Sequence, residues 1–144
     1  MSSMSDYLEN KLIDHLFRGT AFTAPATLYF ALFTAAPSDA GGGTEVTGGS
    51  YARVAVAPNS TNFANTQATG TGASTGTGGQ TSNLTAITFP APTANWGVAT
   101  HFAIFDASSA GNMIAWDALI TPKTINNGDT APSWPAGDFT FTFA

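Results

Sequence analysis

The stretch Thr27-Leu-Tyr-Phe-Ala-Leu-Phe-Thr34 decides the fold. It is apolar on both alternating faces, is rich in aromatic residues, and is preceded by Pro25 and followed by Pro37. Such a run reads as a central β-strand covered on both sides, with the preceding helix a candidate cover for one of them. Working outward, the pattern repeats in shorter pieces bounded by Pro, Gly, Asn and Asp. The segment Tyr51 to Ala57 sets Val54 and Val56 against Tyr51, Arg53 and Ala55. Leu84 to Phe89 stops at Pro90, and His101 to Asp106 sets Phe102 and Ile104 against His101, Ala103 and Phe105. A further strand is expected from Asn112 to Ile120. At the C-terminal end, Phe139, Phe141 and Phe143 alternate with Thr140 and Thr142, the clearest period of two in the chain.

Upstream, one segment has a different period. Leu8, Leu12, Ile13, Leu16 and Phe17 form one stripe at helical spacing, so residues 5–18 are expected to be an amphipathic helix. Asp6 and Glu9 resemble a capping arrangement, and Gly19 stands where a left-handed residue would end the helix. The expected fold is therefore mainly β: a single antiparallel β-sandwich or jelly-roll-like domain over residues 1–144, with one N-terminal amphipathic helix. Within it, residues 59–83 contain almost no apolar side chain except Phe63 and are expected to form a flexible Thr/Gly-rich loop, or an arm lying on another subunit.

Composition narrows the function. The chain has 144 residues, 4 Lys+Arg against 9 Asp+Glu, a formal charge of −5 and only 9% charged residues. One core is affordable at this length, and a two-domain enzyme is not expected. Lys11, Arg18, Arg53 and Lys123 are scattered and make no basic stripe, so neither nucleic acid nor an anionic membrane is an expected partner. Charges at Asp6, Glu9, Lys11, Asp14 and Arg18 interrupt any signal-peptide core, which suggests synthesis in the cytoplasm. There is no cysteine, hence no disulfide framework and no thiolate zinc site.

Catalytic patterns are missing too. No glycine-rich loop ends in Lys-Ser/Thr, and no G-x-S-x-G surrounds a serine. His15 and His101 have no cysteine to complete a zinc set. Asp106 and Asp117 are the best carboxylates for glycoside chemistry, whereas Asp39, Asp129 and Asp138 sit in turn contexts. Asp39 with Glu45, or Asp129 near Asn126 and Asn127, offers oxygen ligands without EF-hand spacing. No enzyme activity, metal or cofactor is expected. Trp96, Trp116 and Trp134 could stack on sugars, although such residues more often anchor cores or interfaces. With 25 Ala, 22 Thr, 15 Gly and 11 Ser, the surface is small, polar and nearly uncharged. Ordering it costs little side-chain entropy, which favours assembly over turnover.

The ordered set YLENKLIDHLFRGTAF, TLYFALFTAAPSDA, GTEVTGGSYARVAV, ITFPAPTANWGVATHFAIFDA, GNMIAWDALI, NNGDT and AGDFTFTF resembles a family of small tailed-bacteriophage virion structural proteins, often labelled tail fibre protein. The resemblance covers nearly the whole chain and implies a place in the virion. Within that family, one compact β domain without repeats or sustained heptads fits a capsid decoration or cement protein. Such a protein would be bound as a homotrimer to the major capsid protein on the capsid surface. The alternative is a tail fibre or tail-tip component that contributes to host receptor binding. The expected interface residues are Leu8, Leu12 and Leu16 on the helix, Tyr51 and Arg53 exposed on a strand face, and Phe63 as an isolated anchor awaiting a partner.

Overall fold

A computed structural model describes residues 3–143. The chain is mainly β, with antiparallel sheets and one helix near the N-terminus. Strand β1 (Ser3–Met4) leads into α1 (Asp6–Phe17). There follow β2 (Leu28–Ala35), β3 (Thr44–Glu45), β4 (Val54–Val56), β5 (Gln80–Ser82), β6 (Ile87–Thr88), β7 (Gly97–Phe105), β8 (Met113–Ile125), β9 (Ser133–Trp134) and β10 (Thr140–Thr142). The main sheet runs β1-β8-β7-β2, and both β3 and β4 pair along the outer side of β2. Two small antiparallel sheets, β5 with β10 and β6 with β9, complete the described structure.

The two-faced run does become a central strand. On one face Phe30 and Leu32 of β2 join Phe102 and Ile104 of β7 and Ala115 of β8. The small sheets cover this face with Ile87, Phe139, Phe141 and the half-buried Trp134. Phe30 and Phe102 meet Phe139 edge-on at 5.1 and 5.2 Å, the geometry that ring quadrupoles favour. On the opposite face lies a smaller cluster of Ala31, Phe33, Ala103, Phe105 and Met113. The helix does not cover β2. It packs on β8 and β1 instead.

Ser5 is the reason the helix starts where it does. Buried, it accepts the Leu8 N–H as N-cap, while its hydroxyl donates to the Met113 carbonyl and its backbone N–H to Ile114 O at 3.0 Å. The cap is thus one residue earlier than the Asp6–Glu9 pattern suggests. Gly19, at φ +69°, ends the helix in the left-handed region as expected. β8 runs on to Ile125, past the expected end at Ile120 and through Pro122. It does so by bulging: Ala118 pairs His101 and Lys123 pairs Ala99, so Leu119 to Pro122 stand opposite Thr100 alone. Pro122, which cannot donate to a ladder, sits within that bulge.

Residues 59–83 are more than the loop expected of them. Gln80–Ser82 forms β5 against β10, and Phe63 makes a bridge to Asn83. Asn83 is buried and fully engaged. Its amide nitrogen donates to the carbonyls of Thr85 (2.9 Å), Trp134 (3.2 Å) and Pro135 (2.8 Å), and its side-chain oxygen accepts from Gly137 (3.1 Å) and Phe139 (2.9 Å). One side chain therefore ties the approach to β6 to the turn between β9 and β10.

Candidate interaction surface

The six expected interface residues fall in three different settings. Along α1, Leu8 is buried, Leu12 is half-buried, and Leu16 is 68% exposed. Ile13 and Phe17 beside it are also exposed, Phe17 by 81%. The apolar stripe thus begins inside the protein and ends in solvent. The Asp14–Arg18 pair on the same turn, at 2.9 Å, is exposed and contributes little to stability.

Tyr51 and Arg53 are not the exposed strand residues expected from sequence. Strand β4 begins only at Val54, so both precede it. The Arg53 side chain is 7% exposed and makes a two-pronged pair with Glu45, Nε to Oε1 at 2.9 Å and Nη2 to Oε2 at 2.8 Å. Its Nη1 donates to the carbonyls of Ala107 and Ala110, both at 2.9 Å, and the guanidinium lies 3.6 Å over the Phe105 ring. Asp106 closes the same turn by accepting from the Asn112 backbone (2.7 Å) and side chain (2.8 Å). Arg53 therefore fastens β3 to the β7–β8 turn.

Tyr51 completes this group from the other side. Its hydroxyl donates to Glu45 Oε1 and accepts the Leu32 N–H, each at 3.0 Å. Its ring stacks on Phe89 and meets Trp96 edge-on at 5.2 Å. Burial pushes the phenol above its ordinary value, and the neighbouring Glu45 charge pushes the same way.

Phe63 is not isolated: half-buried, it stacks on Phe30 at 6.3 Å in its own chain. It also lines an apolar cleft of about 410 Å³ with Leu28, Ile104, Phe139 and Phe143. The three tryptophans form no common surface. Trp96 is buried with an unpaired indole N–H, Trp116 donates to Asp39 at 3.0 Å on the other side of the main sheet, and Trp134 lies among Phe89, Phe102 and Phe139. Sequence alone missed Glu45 and Asn83 as organising residues. Both look like ordinary polar residues between glycines or threonines.

Two of the turn carboxylates are engaged within the protein. Asp129 accepts the Asn126 N–H at 2.7 Å, and Asp39 accepts from Trp116. No group of three or more His, Asp or Glu among the described residues converges on a point that could hold a metal. No helix among them is long and apolar enough to cross a membrane. The large apolar side chains exposed among the described residues are those of the outer half of α1, Ile120 in the bulge at 98%, Phe143 at 50% and Val98 at 45%.

The model of a family described as Podophage GP4 fiber I protein gp80 matches residues 3–142. No curated protein matches the chain.

Proposed function

Because the chain belongs to the podophage GP4 fiber I protein family, and so is a structural protein of the phage virion, we infer that it is a fibre component on the tail that contributes to host attachment. The observation that carries this reading is the family match across residues 3–142, whose description is of a fibre. It favours the tail over the capsid surface, where brevity and the lack of heptads pointed to a cement protein bound to the major capsid protein. The work assigned to the chain is binding rather than turnover. Asp106, one of the two best candidate carboxylates, is occupied in closing the β7–β8 turn.

Attachment to the rest of the fibre, including self-association as a homotrimer, is assigned to the outer half of α1. Leu16 with Ile13 and Phe17 is the largest run of exposed apolar side chains on one element. The charges on the same turn, Asp14 and Arg18, are already paired with each other and form a polar border to this patch. Leu8, Tyr51, Arg53 and Phe63 are assigned to internal packing.

The test is competition. Purified protein added to host cells before phage should lower the phage adsorption rate in a dose-dependent way. Adsorption unchanged at saturating protein would contradict a direct role in host contact.

A further inference from the structure

Two clefts meet at Trp134. One, of about 560 Å³, is bordered by Ile120, Thr121, Lys123, Ser133 and Asp138, and the other, of about 240 Å³, by Asp117, Leu119 and Thr142. Trp134, Asp138 and Thr140 line both. The combined groove is of a size with small-ligand sites, roughly 300–1,000 Å³. Its walls are the β8 bulge on one side and the β9–β10 turn on the other.

The chemistry of the groove is that of a sugar site. Trp134 is half-buried and held by Phe89, Phe102 and Phe139 at 5.8, 5.9 and 5.7 Å, so its ring is a fixed plate rather than a mobile one. The apolar C–H face of a pyranose packs on such a plate, and little entropy is lost because the plate is already ordered. The Trp134 indole N–H has no acceptor among the described residues and, unlike that of Trp96, is not buried. Asp138 supplies a carboxylate and Thr121, Ser133 and Thr140 supply hydroxyls, the acceptors and donors that vicinal sugar hydroxyls need. Asp138 and Lys123 line the larger cleft together and balance in charge. No net positive field draws phosphorylated or acidic saccharides there, and neutral sugars, N-acetylated amino sugars among them, are accepted.

We propose that this groove binds a neutral or N-acetylamino hexopyranose unit of a bacterial surface glycan, stacked on Trp134 and hydrogen-bonded by Asp138. The proposal rests on the fibre reading and names what that fibre would recognise. It involves binding alone, with no bond made or broken.

The test uses the purified chain, a panel of immobilised neutral, N-acetylamino and acidic bacterial oligosaccharides, and titration with free N-acetylglucosamine and galactose followed by tryptophan fluorescence. Binding to at least one neutral or N-acetylamino saccharide is expected, weakened about tenfold or more in Trp134→Phe. Asp138→Asn, an exposed change that should leave the melting temperature as it is, should weaken binding severalfold. Absence of saccharide binding by the folded protein, a preference for acidic glycans, or equal binding by both variants would overturn the proposal. Location on the particle is measured separately. A chain on the tail that binds no sugar sinks this inference alone, whereas a chain on the shell sinks the fibre reading.

Discussion

The inner half of α1 and its outer half obey the same sequence pattern and meet opposite fates. Leu8 is 5% exposed beside a buried N-cap, while Leu16 and Phe17, two turns on, are 68% and 81% exposed. The difference lies in what each half has beside it. Ser5 bolts the start of the helix to Met113 and Ile114 of β8. Further along, Ile13, Leu16 and Phe17 stand exposed among the described residues, and an apolar stripe that continues past its cover is a surface suited to another chain. The same contrast separates Arg53, whose charge is consumed by Glu45 and two carbonyls, from Lys123, which has no ion pair among the described residues and lines an open groove.

The contrast between fastened and open regions can be broken by substitution, and the largest effect belongs to Asn83. Asn83→Ala leaves the buried Phe139 N–H without its acceptor and the carbonyls of Thr85, Trp134 and Pro135 without their shared donor, while Gly137 keeps its bond to the backbone carbonyl of residue 83. A loss of about 3–4 kcal/mol is expected in urea or guanidinium unfolding. Arg53→Ala comes next, at about 2–3 kcal/mol, because Glu45 keeps a partly buried charge without its partner. Arg53→Lys should recover less than half of that, since an ammonium can neither make the two-pronged pair nor lie flat over Phe105.

Tyr51 sharpens the same comparison through pH. Its folded-state phenol titrates above the unfolded value of about 10, so its contribution to stability is fully present below pH 10 and is lost as pH rises further. Unfolding curves collected at rising alkaline pH should show wild-type stability falling in that window, and Tyr51→Phe, less stable at neutral pH, should lack that component. The smallest effect on folding is expected at the open end. Leu16→Ser with Phe17→Ser should change stability by less than about 0.5 kcal/mol, yet reduce self-association in sedimentation and incorporation into particles. A large loss of stability in that variant would mean that the outer helix is fastened after all.

Much of this was legible from residue order, and the exceptions share a cause. The helix was placed within a residue at either end because its apolar period and Gly19 are local signals. The two-faced Thr27–Thr34 run likewise announced a strand now seen at Leu28–Ala35. Strands β1, β5 and β9, of two or three residues each, exist only through partners far along the chain and leave no local trace. Pro122 hid the second half of β8, because a bulge that tolerates proline is set by the register against β7. At the interaction surface, apolar spacing found the helix stripe but not where its cover stops. Arg53 looked exposed because its partner Glu45 sits across a glycine-rich turn. Phe63 looked orphaned because its partner Phe30 is 33 residues away in sequence.

Tail and capsid shell are the two places where this virion protein could stand. Cryo-electron microscopy of intact particles, with gold-labelled antibody against the chain, would locate it and count its copies. The fibre reading predicts a small fixed number of copies confined to the tail. Hundreds of copies distributed over the capsid shell would contradict it.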